Sequence, residues 1–142
     1  MIFAGSLVTH FDRPLFTAAL KWFSQALAPG GILIVTTPGR RADFIETNIL
    51  RHLGSRWAGM RETWINSGFA FAETERRGDL SYGFSFTRPF WVIGAAETLP
   101  GMRILGYQEA AWGDHQDVLS LQRGSLDHAV GAIEHDTGPR QA

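Results

Sequence analysis

The sequence predicts an α/β fold with parallel core strands followed by a C-terminal antiparallel hairpin. Three observations lead there. Ile2–Val8 is a short apolar run at one end of the chain, and Ile32–Thr36 is a β-branched run after a Pro29-Gly30-Gly31 turn. Between them lies a helical stripe, so the two runs read as a β–α–β crossover and therefore as parallel strands. Near the other end, Met102–Ala111 and Gln116–Arg123 are strand-like segments separated by Gly113-Asp114, the pattern of an antiparallel pair.

The elements follow in order. Ile2–Val8 suits a strand buried on both faces. Asp12 is a good N-cap, with Pro14 in the first turn where its missing N–H does no harm. Phe16, Leu20, Phe23 and Leu27 then repeat at helical spacing and form one core-facing stripe. Ile32–Thr36 reads as a second buried strand. A second helix is expected from about Arg41 to Leu53, with Phe44, Ile45, Ile49 and Leu53 on one side and Gly54 at C′. Trp57–Arg77 is less regular, with a short strand in Gly68–Ala72. Ser81–Thr87 alternates Tyr82, Phe84 and Phe86 with small residues. Thr87-Arg88-Pro89 opens a short helix running to about Leu99, and Pro100-Gly101 turns into the terminal hairpin. The chain divides into a domain over residues 1–123 and a polar tail over 124–142.

The 142 residues make one domain, able to bury roughly two-thirds of the unfolded surface. A net charge of −1 gives no electrostatic case for nucleic acid or an anionic membrane. No apolar run is long enough to span a bilayer. The absence of cysteine excludes a disulfide framework and thiolate chemistry, and fits a reducing, cytoplasmic setting.

The stretches MIFAGSLVTHF, ALAPGGILIVTTPGR and WGDHQDVLSLQR occur in that order, and together they resemble the C-terminal half of a class I S-adenosylmethionine-dependent methyltransferase. The resemblance spans about Met1 to Arg123. It implies a partial Rossmann-like methyltransferase sheet whose cofactor lies across the carboxyl ends of the strands. Members of that family carry a glycine-rich turn after their first strand and an acidic residue after the second. This sequence has sixteen glycines but no Gly-x-Gly run, and its first strand matches the family's fourth. The N-terminal cofactor-loop half is thus expected to be missing, through a truncated chain, a misplaced start or a gene remnant. Loss of two charge-assisted hydrogen bonds would weaken cofactor binding by roughly 3–6 kcal/mol.

The resemblance implies that Gly5, Ser6 and Leu7 contact the methionine part of S-adenosylmethionine; the alternative is a glycine tolerated at a strand end. His10 could serve as general base toward a hydroxyl or amine, or could simply donate to a nearby carbonyl. Thr36, Thr37 and Arg40 end the second strand at the same edge and could line an acceptor pocket, or satisfy backbone groups and solvent. Tyr82 and Trp112 could wall that pocket or belong to the core. His115 and Asp117 share a strand face, but two ligands do not close a metal site, and His128 and His135 lie in the tail, so no metal is expected. Arg77-Gly78-Asp79 spells an adhesion tripeptide that a polar turn explains.

The expected activity is methyl transfer to a small-molecule O or N acceptor in the intact enzyme. The apolar first strand, left as a sheet edge, predicts a homo-oligomer, completion by an upstream N-terminal polypeptide, or poor solubility. One alternative is a non-catalytic binding or assembly module using that edge. Another is a nicotinamide-dependent oxidoreductase, against which stand the missing glycine loop and the lack of a Tyr-x-x-x-Lys pair, Lys21 being the sole lysine.

Overall fold

The computed structural model describes residues 1–78 and 80–124. Its elements are β1 (Ile2–Ala4), α1 (Arg13–Ala26), β2 (Ile32–Pro38), α2 (Arg40–Ile45), α3 (Ser55–Ser67), β3 (Phe69–Arg77), β4 (Leu80–Thr87), α4 (Pro89–Glu97), β5 (Met102–Trp112) and β6 (Gln116–Arg123). A 3₁₀ turn at Val8–His10 follows β1, and a π turn at Glu46–Leu50 follows α2. The fold is mixed α/β. One sheet has the order β1-β2-β6-β5, with β1 parallel to β2 and β6 antiparallel to both its neighbours. β3 and β4 form a separate antiparallel hairpin.

The crossover helix forms as its sequence dictates. The Asp12 carboxylate accepts from the Leu15 N–H at 2.9 Å, and Pro14 lies in the first turn. Phe16, Leu20, Phe23 and Leu27 are all buried, against Leu33, Val35, Leu119 and Leu121 of the sheet and Val92 and Ala96 of α4. Each such side chain contributes about 1.5–3 kcal/mol on burial. The helix end is tied to β6. The Arg123 guanidinium donates to the carbonyls of Gln25 and Leu27, while the Gly30 N–H donates to the Arg123 carbonyl at 2.8 Å.

A second apolar cluster joins α3 to the hairpin through Trp57, Trp64, Ala70, Ala72 and Phe86, with the Trp57 and Phe86 rings stacked at 4.0 Å. The hairpin lies over the carboxyl ends of β1 and β2. Ser85 donates its hydroxyl to the Val8 carbonyl at 3.1 Å, and the Thr37 and Thr87 hydroxyls are 3.1 Å apart.

Three sequence expectations need correction. The first strand covers Ile2–Ala4 rather than Ile2–Val8, because Ser6 takes a left-handed φ of 52° and the chain then coils through Val8–His10. β1 is not buried on both faces, since Phe3 is exposed. β2 is so only in its second half: Ile32 and Ile34 are half-buried, whereas Val35, Thr36, Thr37 and Pro38 are buried in succession. The helix expected over 41–53 runs over 40–50, changing from α to π pitch after Ile45, and its expected apolar side does not hold. Phe44 and Ile49 face solvent, whereas Ala42, Asp43 and Glu46 are buried. Arg51, not Gly54, takes the left-handed position after the π turn, and Gly54 precedes α3. The irregular stretch after Trp57 is helical as far as Ser67. The tail beyond Gly124, with His128 and His135, lies outside the described residues, as does Asp79 of the tripeptide.

Candidate functional site

Open α/β sheets place ligands at the carboxyl ends of their strands. Here that edge is built by the loop after β1, the end of β2, the first residues of β6 and the hairpin lying over them. Ser6, Thr36 and Gln116 close a ring of hydrogen bonds there. The Ser6 N–H donates to Thr36 Oγ1 at 2.8 Å, the Thr36 hydroxyl donates to Gln116 Oε1 at 2.6 Å, and Gln116 Nε2 donates to Ser6 Oγ at 2.9 Å. The Thr9 hydroxyl adds a bond to the Ser6 carbonyl at 2.8 Å. These contacts hold Ser6 in its left-handed conformation, which is uncommon for a residue with a side chain.

His10 comes next. Its Nδ1 is 2.9 Å from the Gly83 carbonyl, which can only accept, so Nδ1 carries the proton and Nε2 of the neutral ring keeps its lone pair. The imidazole stacks on Tyr82 at 4.7 Å and tilts against Phe84 at 5.3 Å. Gly83 is required where it stands, because a β-carbon there would lie 2.0 Å from the Ala72 carbonyl oxygen, beside the bulge at Glu73/Glu75. Phe84 also meets His52 edge-on at 5.4 Å, so the ring separates two imidazoles.

His52 has a distinct support. Its Nδ1 is in ion-pair contact with Oε2 of Glu46, a carboxylate only 3% exposed whose Oε1 accepts from the Leu53 N–H at 2.6 Å. The π turn and the left-handed Arg51 bring His52 back onto its own helix end. Below it, the Asp43 carboxylate receives Arg61 Nε at 2.7 Å, Arg61 Nη2 at 3.0 Å, Trp57 Nε1 at 3.0 Å and the Thr47 hydroxyl at 3.2 Å. A cleft of about 480 Å³ opens between the π turn and α3, lined by Glu46, Arg51, Trp57, Arg61 and Ile65 among others. None of these groups was singled out from the sequence. The signal that could have found them is acidic residues three apart, Asp43 and Glu46, on a helix whose apolar stripe does not hold.

The other sequence candidates are spread around this edge. Gly5 lies beneath the Phe3 ring, which a β-carbon would approach to 2.7 Å. Phe3 in turn packs against Trp112 at 5.1 Å, and Phe3, Leu7 and Trp112 are all exposed. Tyr82 is exposed above His10. Thr37 is fully buried with its hydroxyl against Thr87, so it links the hairpin to β2 instead of lining an opening. Arg40 makes a two-pronged pair with Glu109, both bonds 2.6 Å.

His115, at the β5–β6 turn, is lowered below the usual histidine range, chiefly by burial and then by the positive charges of His52 and Arg41, against the opposing charge of Asp117. Asp117 is fully buried. Burial raises it above the usual carboxylate range, against the opposing pull of the Tyr107 hydroxyl and the Ala110 N–H, both of which donate to it. Burial, reinforced by that bond to Asp117, keeps the Tyr107 phenol protonated far above its ordinary value. Among the described residues, no three His, Asp or Glu side chains are grouped to hold a metal ion, and no helix is long and apolar enough to cross a membrane.

No protein-family model matches the sequence, and no curated protein matches it.

Proposed function

We propose that this chain contributes the carboxyl-terminal part of an S-adenosylmethionine-dependent methyltransferase domain, acting on a small-molecule O or N acceptor. The observation that supports the reading is the pairing of the main sheet: two parallel strands joined by one crossover helix, then an antiparallel hairpin whose last strand adds to β2. The resemblance of the sequence implies that arrangement.

The fit to the cofactor is partial. Exposed Phe3, Leu7 and Trp112 offer an apolar and aromatic wall beside Gly5. The Ser6 N–H is already committed to Thr36 and is not free to hold a ligand. When bound, S-adenosylmethionine supplies the methyl electrophile. The residues of this chain position an acceptor and, through Nε2 of His10, can accept its proton, a role worth typically about 10²–10⁴-fold.

Isothermal titration with S-adenosylhomocysteine, on this chain alone and mixed with a polypeptide supplying the glycine-rich half, tests the reading. Heat in either titration supports it; none in both rejects the catalytic role.

A second reading is a docking module. β1 is an edge strand of its sheet, and Phe3 stands exposed on it. Recovery of a stable heteromer without methyl transfer selects this reading over the first.

A further inference from the structure

We propose that the cleft between the π turn and α3 binds a free α-amino acid with an apolar side chain, held by Arg51 on one wall and Glu62 on the other. The inference goes beyond the methyl-transfer reading and does not rest on it.

At about 480 Å³ the cleft has the size of a small-molecule site. One wall is a single side of α3. Trp57, Ala58, Arg61, Glu62 and Ile65 line it, three and four residues apart as one helix face requires. The other wall is the π turn and its exit, which contribute Glu46 and Arg51.

Four charged side chains line the cleft, and their commitments differ. Arg61 gives Nε and Nη2 to the Asp43 carboxylate, so its charge is already answered. Glu46 is buried, with Oε1 on the Leu53 N–H and Oε2 against the His52 ring. Arg51 and Glu62 remain, one of each sign, on opposite walls. Both are exposed, and among the described residues neither side chain makes a hydrogen bond or an ion pair, with the other or with any neighbour.

A zwitterion answers both charges at once. Its carboxylate can accept the two-pronged bond that a guanidinium offers, and its ammonium can donate to Glu62. A ligand with a single charge would displace water from the opposite wall and give nothing back. The uncharged lining fixes the rest of the ligand. Trp57, Ala58 and Ile65 are apolar, and Ile65 is 38% exposed, so the amino acid's side chain is apolar too.

The walls are set before a ligand arrives. Trp57 is stacked on Phe86, and its indole N–H is held by Asp43, the carboxylate that also holds Arg61. On the facing wall Arg51 takes a left-handed φ of 53°. Its N–H donates to the Glu46 carbonyl at 2.9 Å, and its carbonyl accepts from the Gly54 N–H at 3.1 Å. Little ordering is left for binding to impose.

The probe is L-phenylalanine, titrated calorimetrically into the full chain. Two analogues run beside it: 3-phenylpropanoate, which lacks the ammonium, and 2-phenylethylamine, which lacks the carboxylate. The expected result is saturable binding of phenylalanine, with each analogue weaker by about tenfold or more, the loss typical of one charge-assisted contact. Arg51→Gln and Glu62→Gln should each weaken phenylalanine by a similar factor. Ala58→Trp, at an exposed helix position, fills the cleft and should abolish binding while the circular dichroism spectrum is kept. No saturable heat with phenylalanine, an analogue that binds as tightly, or full binding in Ala58→Trp overturns the proposal. No S-adenosyl compound enters these titrations, so failure here is told apart from failure of the methyl-transfer reading.

Discussion

The carboxylate of Asp117 occupies the place where a β-carbon on Gly39 would stand, 1.8 Å from Oδ2. Gly39 joins β2 to α2, and Asp117 is held from the other side by Tyr107 and Ala110, so it cannot swing away. Gly39→Ala is therefore expected to destabilise the fold by about 2–3 kcal/mol, measured by urea unfolding. Adding Asp117→Ala relieves the clash, and the double variant should lose less than the sum of the singles by about 1 kcal/mol or more. Strict additivity would show that the two residues do not meet.

Asp43 organises the junction of α2 and α3 through Arg61, Trp57 and Thr47. Asp43→Ala leaves the indole N–H of a buried tryptophan and a guanidinium without their acceptor. The expected loss is about 2–4 kcal/mol, toward the lower end because the Arg61 side chain is 43% exposed and water can reach it. Near-UV circular dichroism should report the disturbance at Trp57. An unchanged melting midpoint would remove Asp43 from the account of this junction.

His115 sets a pH dependence with a definite sign. Its folded value lies below the ordinary histidine value, so on acidification the unfolded chain takes up the proton first. The stability it contributes is present above the ordinary value and is lost as pH falls through that value toward the lowered one. Asp117 works in the opposite sense: raised in the fold, it makes stability fall as pH rises from the ordinary carboxylate value through the raised one. His115→Asn should flatten the fall in urea midpoint between neutral and mildly acidic pH. An equally steep fall in that variant would assign the effect elsewhere.

Gln116 bridges the two strand ends through both atoms of its amide. Gln116→Leu leaves the Thr36 hydroxyl without its acceptor and Ser6 Oγ without its donor, at an expected cost of about 1–2 kcal/mol. Amide hydrogen exchange at Ser6 should quicken, because its N–H bond depends on how Thr36 is oriented. Unaltered exchange there would mean that Thr36 is fixed without Gln116.

The parts of this architecture that were legible in the sequence are those where apolar period and chain punctuation agree. Asp12, Pro14 and the Phe16–Leu27 stripe predict α1, and Gln116–Arg123 is a strand with the predicted bounds. Reading failed where polar side chains turn inward. The inward side of α2 and the π turn after it carries Asp43 and Glu46, whose burial depends on Arg61, Trp57 and His52, partners that become neighbours only after folding. The exposed Phe44 and Ile49 then mimic a core stripe. At the candidate site, Ser6 and His10 were recognisable from their place just beyond the first strand and Tyr82 as an aromatic able to wall a pocket, and the structure stacks His10 on Tyr82. The bonding of Ser6 to Gln116 spans 110 positions and leaves no local pattern. His52 stayed unread because its position depends on a π turn and a left-handed arginine, neither of which has a residue signature.

That wide turn has a consequence for how the protein can change. An α-helix advances about 100° per residue, so deleting one residue from Glu46–Leu50 would let the segment close with ordinary pitch and carry the imidazole away from its carboxylate. Loss or gain of a single codon is the shortest genetic step between a coupled and an uncoupled pair.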